Sequence, residues 1–185
     1  MKKTVKISAV LLLIVAVFAF QPTKVVKLQA DKTKSYIKYF MFHPAHDWEG
    51  ISKAVTCNII YNDSSKAITG VGVATAISSF NSDNDNRDSH TLEATEALKY
   101  PQVKFASTSI TNSDSVLTVK GQLTFHNITK AISFSAKKKY TGNEMMVTGG
   151  FSIKLTDYGI QPPTLMMAAA EDLVKLEFYT VFKVK

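Results

Sequence analysis

Apolar and polar residues alternate along most of the chain, which is the pattern of β-strands with one dry face and one wet face. In the C-terminal stretch VKLEFYTVFKVK, Val174, Leu176 and Phe178 share one face, whereas Lys175 and Glu177 share the other. The same period of two occurs in SYIKYFMFH, VLTVKGQLTF, KAISFSAKKK and VTGGFSIKL. Further strands are predicted at residues 24–29, 53–61, 67–77 and 102–111. The pattern therefore predicts an all-β protein.

Short, turn-prone links such as NDSSKA, TNSDS and YTGNE join these stretches and favour antiparallel neighbours. Many long strands with one apolar face in a single domain favour a closed or nearly closed barrel of about eight strands, because closure leaves no sheet edge exposed. Since the polar faces are rich in Lys and Glu, we expect a soluble barrel, without stable membrane insertion, rather than a membrane barrel.

One segment breaks the alternation, namely NRDSHTLEATEALKYPQVKF. Its apolar residues predict a short helix over residues 88–99, for which Asp88 and Thr95 are candidate caps. The helix is expected to stop at Tyr100-Pro101, because proline disfavours helix at the residue before it. This helical insertion is a candidate lid or plug at a barrel mouth.

The N-terminus MKKTVKISAVLLLIVAVFAF resembles a secretory signal peptide, with basic Lys2 and Lys3 before an apolar run over residues 7–20. The run is shorter than the roughly 20 residues of a membrane span. Val17-Phe18-Ala19 supplies a cleavage site, so we expect a signal peptide at 1–19, one domain at 20–185 and a periplasmic location. An uncleaved N-terminal anchor is the alternative.

Charge and cysteine content exclude two other classes of protein. The net charge of +7 falls to +4 once the three lysines of the signal peptide are removed, and the remaining lysines are scattered, so no nucleic-acid partner is expected. Cys57 is the only cysteine and cannot form an internal disulfide. We interpret it as a small buried hydrophobe rather than a nucleophile.

The segment RDSHTLEATEALKYPQVKFAST resembles the hallmark of the YceI-like family. The residues that carry this resemblance are Arg87, Asp88, His90, Leu92, Tyr100, Pro101, Phe105 and Ser107. VKGQLTFHNITKAISF, TDYGI and DKTKSYIKYFMFH resemble three further family segments. The chain departs from the family pattern at Leu155-Thr156-Asp157, at Lys34-Ser35 and in the stretch HPAHDWEGISK.

The resemblance implies a lipocalin-like barrel that binds a polyisoprenoid or an isoprenoid-quinone tail in its lumen and acts as a carrier or store. The alternative is a structural or stress-response module with a packed core and a protein partner. Neither hypothesis requires a cofactor, and a homodimer is compatible with both. No recognised catalytic motif is present, so an enzyme is the least favoured hypothesis.

A lumen that holds an isoprenoid needs aromatic and aliphatic walls. The expected lining residues are Tyr39, Met41, Phe105, Phe134, Phe151 and Phe178. Four methionines are candidates for adapting to an irregular ligand, namely Met145, Met146, Met166 and Met167. The alternative is that these side chains fill a packed core. Residues 165–170 are expected to form either a flap over the lumen or a short buried helical turn.

Arg87 is the only arginine in the chain, and it suits either a structural clamp between the helical insertion and the barrel rim or a contact with a lipid headgroup. Asp88 and His90 belong to the same cluster, although an acid/base pair formed by them would lack an obvious nucleophile. His43, His46 and Asp47 are candidate metal ligands, but no second cluster has a matching spacing, so no metal site is expected.

Overall fold

The computed structural model describes residues 24–165 and 167–184, without the side chain of Leu165. The predicted signal peptide lies outside these residues. Within them the chain forms one α-helix, α1 (Asp85–Ala94), and twelve strands: β1 (Val25–Gln29), β2 (Tyr36–Met41), β3 (Trp48–Ser52), β4 (Val55–Asn62), β5 (Ala67–Ala76), β6 (Gln102–Ser113), β7 (Val116–Phe125), β8 (Ile128–Thr141), β9 (Glu144–Lys154), β10 (Thr164–Leu165), β11 (Ala168–Ala169) and β12 (Leu173–Lys183).

Ten of these strands form a single sheet in the order β1-β4-β5-β6-β7-β8-β9-β12-β2-β3, and every neighbouring pair is antiparallel. The sheet curls into a half-barrel, which confirms the predicted antiparallel fold, with ten strands instead of about eight. After β1 the chain passes from β4 across to β12, because the amide of Ala30 donates to Cys57 on β4 and the amide of Asp31 donates to Val181 on β12.

The connections between strands differ between the two ends of the barrel. Residues 63–66, 114–115 and 142–143 form tight turns at one end, which we call the closed end. Tyr61, Met145 and Phe182 pack there and are at most 1% exposed. The other end, which we call the mouth, carries residues 42–47, 77–101, 126–127 and 155–172.

Helix α1 lies in the β5–β6 connection, as the sequence predicted, but it begins and ends earlier than expected. Asn84 is its N-cap, since the side chain accepts a hydrogen bond from the amide of Arg87, so Asp88 is not the cap. Thr95 follows the last helical residue as the C-cap. Glu96 then has φ 47°, a left-handed conformation that stops helical propagation before residue 99. Among the described residues, no helix is long and apolar enough to cross a membrane.

The described part of residues 165–170 contributes to two short strands at the mouth, β10 and β11. Strands β10 and β11 pair antiparallel, so the predicted alternative of a helical turn is wrong. The amide of Ala170 donates to Pro163, and Pro163 and Thr164 line the opening of the barrel interior. The expected flap over the lumen stays a prediction.

Candidate functional site

The interior of the curled sheet contains a cavity of about 920 Å³. Its wall is formed mainly by apolar side chains from the inward faces of strands β2, β4 to β9 and β12. At the mouth the cavity is bordered by Trp48, Arg87, Thr91 and Pro163. The size and the apolar lining are typical of a site for a small hydrophobic ligand.

Four phenylalanines form one continuous aromatic wall around Phe134. The ring centre of Phe134 lies 5.5 Å from that of Phe105, 5.1 Å from that of Phe151 and 5.7 Å from that of Phe178. These are favourable separations for aromatic pairs. Phe134, Phe151 and Phe178 are only half-buried although they point inward, because part of each ring faces the cavity.

Glycines on neighbouring strands provide space for several of these rings. A methyl group added at Gly121 would overlap the ring of Phe105, and one added at Gly149 would contact the ring of Phe178. A methyl group at Gly50 would likewise overlap the ring of Tyr39. These glycines were not among the residues expected at the site, although a glycine inside a strand is a recognised signal of close approach by another group.

The structure brings all six residues that were expected to line the lumen to the cavity wall. They are Tyr39, Met41, Phe105, Phe134, Phe151 and Phe178. Contact with a ligand stays a prediction for each of them. The methionine expectation is wrong for Met145, which is packed at the closed end, and for Met167, which is fully exposed. Met146 does not line the cavity, and Met166 lies outside the described residues.

Arg87 and Asp88 both hold the loop that precedes α1. The Nη1 atom of Arg87 donates to the carbonyl of Ser82 at 3.3 Å, and the carboxylate of Asp88 accepts from the amide of Ser82 at 3.2 Å. The guanidinium of Arg87 also lies 5.6 Å from the ring centre of Trp48 on β3, so it links α1 to the barrel rim through an aromatic face rather than through Asp88.

His90 is exposed on α1, where its Nδ1 atom lies 3.3 Å from the carboxylate of Glu93. Since Asp88 is bonded to Ser82 and His90 to Glu93, the structure does not form the acid/base pair considered from sequence. Arg87 and His90 line the cavity mouth, whereas Asp88 does not. A headgroup contact is therefore geometrically open to Arg87 and His90 only, and it stays a prediction.

His43 joins the β2–β3 connection to strand β11. Its Nδ1 atom accepts from the amide of Ala45, and its Nε2 atom donates to the carbonyl of Ala168, both at 3.0 Å. These two bonds engage both ring nitrogens, so His43 has a structural role. Within the described residues, no group of three or more His, Cys, Asp or Glu side chains is arranged to hold a metal ion.

His126 forms a link between mouth connections that was not predicted from the sequence. Its Nδ1 atom lies 2.9 Å from the carbonyl of Tyr158, and its Nε2 atom lies 3.1 Å from the carboxylate of Glu96. The ring of Tyr100 packs edge-on against it with a centroid distance of 4.7 Å. His126 thus links three of the four mouth connections. The only feature of the sequence that could have indicated this role is its position in a two-residue turn.

Tyr39 and Ser82 carry the only buried side-chain polar atoms without a hydrogen-bond partner in the described part of the chain. The phenol of Tyr39 lies on the cavity wall near Thr91 and Trp48, but neither of them satisfies its hydroxyl. Burial raises the pKa of Tyr39, so the hydroxyl keeps its proton and is available as a donor.

The mouth connections are strongly acidic. They carry nine of the chain's fifteen acidic residues but only two basic residues, Arg87 and Lys99. We call these nine residues the acidic rim: Asp47, Asp83, Asp85, Asp88, Glu93, Glu96, Asp157, Glu171 and Asp172. Because the whole chain has a net charge of +7, the mouth and the rest of the protein differ in sign.

Comparisons with known proteins agree with this architecture. A UPF0312 protein of Pseudomonas putida is 26% identical over 147 residues, which cover 74% of this chain and 77% of that protein. The crystal structure of BcnA from Burkholderia cenocepacia matches 82% of this chain and 98% of its own, with 18% identity and a TM-score of 0.74. A polyisoprenoid binding domain from Saccharophagus degradans, implicated in plant cell wall breakdown, matches 88% of this chain and its full length, with 12% identity and a TM-score of 0.65. The family model of the YceI-like domain matches residues 28–182, and the chain therefore belongs to the YceI-like family.

Proposed function

We propose that this chain is an exported, periplasmic carrier that holds an isoprenoid lipid in the barrel lumen, either a polyisoprenoid or a quinone with an isoprenoid tail. The observation that carries the proposal is the apolar cavity of about 920 Å³ inside the sheet. Protein interiors normally pack as densely as organic crystals, so a filled core would not leave this volume.

The cavity has the capacity for a long tail. At the packing density of protein interiors an isoprene unit of five carbons occupies on the order of 100 Å³, so the lumen has room for roughly nine units. Each buried carbon contributes up to about 0.8 kcal/mol from the hydrophobic effect. A methyl-branched tail also suits a wall of aromatic rings, because Phe134 and its neighbours present broad apolar faces.

Family membership and one structural neighbour support the ligand class. The YceI-like domain spans most of the chain, and the neighbour from Saccharophagus degradans is a polyisoprenoid binding domain. The basic start and the apolar run of the first nineteen residues support export. The cavity also favours a carrier over a module with a packed core, since open volume remains between the inward faces of the strands.

The proposal is tested by identifying the lipids that co-purify with the protein. The chain is expressed with its own leader in a Gram-negative host, purified from the periplasm and studied by native mass spectrometry and organic extraction. We expect an isoprenoid at a stoichiometry near one. Protein recovered from the periplasm without an isoprenoid would contradict the ligand, and a chain that still begins at Met1 would contradict export. Light scattering on the same sample measures whether the protein is a homodimer.

Two adjacent residues of β12 provide a matched pair of variants. Phe178 faces the cavity, whereas Tyr179 lies on the other face and stacks on Tyr36 at 5.5 Å. Phe178→Lys should abolish lipid retention because the buried charge finds no partner, and Tyr179→Lys should not. Circular dichroism confirms that both variants are folded. Equal lipid content in both folded variants would show that the lipid is not held in the lumen.

A further inference from the structure

The charged side chains that line the cavity bear on which lipid head it accepts. Phosphate groups are usually bound by clusters of Lys and Arg or by backbone amides that converge on one point. The cavity lining contains two such cations, Arg87 and Lys104, together with the two carboxylates of Glu93 and Glu177. The lining therefore offers no surplus of positive charge.

The single guanidinium at the mouth is already engaged. Arg87 donates to the carbonyl of Ser82 and lies over the ring of Trp48, so a phosphate would have to compete with both contacts. Two lysines near the mouth are also paired, since Lys99 lies 3.9 Å from Glu96 and Lys130 lies 4.0 Å from Asp157.

The acidic rim adds repulsion to this lack of cations. Most of its carboxylates are exposed, and they lie on three of the four connections that surround the opening. An anionic head held at the mouth would meet like charges over a range comparable to the Debye length, about 8–10 Å at physiological ionic strength. An uncharged head would meet no such barrier.

The hydroxyl of Tyr39 is suited to an uncharged oxygen. It has no partner among the described residues, and a buried donor without a partner costs stability. Protein atoms cover it in this structure, including Thr91 of α1. However, α1 has no fully buried residue and contributes only the partly buried Leu92 to the core, so we expect a displacement of the helix that admits a ligand oxygen to the phenol to cost little.

We infer that the cavity selects isoprenoids whose head is an uncharged carbonyl or hydroxyl group and disfavours phosphate esters, and that the Tyr39 hydroxyl donates a hydrogen bond to the head oxygen. The inference rests on the proposed function, because it concerns the head of a lipid whose tail occupies the lumen.

The test compares two probes with the same tail, the C20 isoprenoid alcohol geranylgeraniol and its monophosphate ester. Trp48 is the only tryptophan in the chain and lies at the mouth, so its fluorescence reports binding. We expect the alcohol to bind at least about tenfold more tightly than the phosphate at low ionic strength, and we expect the difference to shrink in about 1 M salt, where the Debye length is near 3 Å.

Tyr39→Phe should weaken binding of the alcohol by about five- to tenfold, which is the usual effect of one hydrogen bond. Tyr36→Phe is the matched control, because Tyr36 lies on the same strand but does not line the cavity. A phosphate that binds as tightly as the alcohol would overturn the selection of uncharged heads. An equal effect of the two Tyr→Phe variants would overturn the role of Tyr39. If neither probe binds to the folded protein, the proposed function fails and the inference fails with it.

Discussion

Replacing Phe134 by Trp distinguishes a cavity wall from a packed core, provided that a second phenylalanine receives the same change. Phe134 is at the centre of the aromatic wall and is half-buried against the cavity. Phe182 on β12 also borders the cavity from the inward face, but it lies at the closed end, where neighbouring atoms leave it only 1% exposed. Both variants add the same atoms, so any difference between them reflects the space that surrounds each ring.

The space around each ring determines how much stability the larger tryptophan side chain costs. Overpacking a filled core costs about 1–3 kcal/mol, and a domain of this size loses about 2–4 °C of melting temperature per kcal/mol. Phe182→Trp is therefore expected to lower the melting temperature by about 2–12 °C. Phe134→Trp should cost less than about 1 kcal/mol, because its larger ring extends into open volume rather than into neighbouring atoms.

The ligand effects should have the opposite order. A tryptophan at position 134 narrows the lumen where the rings of Phe105, Phe151 and Phe178 meet. Excluding one isoprene unit removes the burial of five carbons, which is at most about 4 kcal/mol or close to three orders of magnitude in Kd. Affinity rises with tail length until the tail fills the lumen. We therefore expect it to stop rising at a shorter tail in Phe134→Trp than in the wild type.

The assay combines thermal melts with competition among isoprenoid alcohols of graded length, measured on wild type and both variants. Equal losses of stability in the two variants, together with unchanged tail selectivity, would refute the distinction between wall and core. Phe105→Trp provides a second wall position, and the same reduction in tail length is expected for it.

Three further predictions concern contacts around the site. Hydrogen bonds from Thr156 lower the pKa of Asp172. They therefore contribute stability above about pH 4, which is lost as the pH falls through the lowered pKa. Hydrogen exchange in the β9–β12 connection should show this loss in the wild type and not in Asp172→Asn. Burial raises the pKa of Cys57 to about 12, so a thiol reagent at pH 8 should label it slowly, and more slowly still when an isoprenoid fills the cavity that it lines. Glu96→Gln removes the charge that faces His126 and should increase hydrogen exchange between α1 and β6, whereas unchanged exchange would show that this contact does not hold the connection.

The fold was predictable because the strands carry their inward face in an alternating pattern that survives in the structure. The same alternation explains why the six expected lining residues reach the cavity, since they occupy inward positions on five different strands. The alternation shows which face of a strand a residue lies on, but it does not show how deeply that residue is buried. Phe178 and Phe182 both line the cavity from the inward face of β12, yet Phe178 is half-buried and Phe182 is only 1% exposed. Whether the lumen is open or filled therefore could not be deduced from alternation.

The errors at the mouth have two different causes. The helix boundary was misplaced because both Asn84 and Asp88 are good N-cap residues, and in the structure Asn84 caps the helix whereas Asp88 accepts from the amide of Ser82. The link through His126 depends on residues that are thirty or more positions away in sequence, Glu96 and Tyr158. Such long-range contacts have no local signature, so neither hydrophobic pattern nor propensity predicts them.

The open lumen is explained by where the small residues are placed. A barrel of this width fills its interior when inward side chains extend across it, as Met145 and Phe182 do at the closed end. Farther along, Gly121 and Gly149 leave room beside them, so the rings of Phe105 and Phe178 lie over the neighbouring strand. The carbonyls of Ala106 and Ser135 also approach these glycines closely, which means that a side chain there would require the backbone to move. Inward glycines therefore keep the aromatic rings close to the wall, and the volume that remains is what a ligand can occupy.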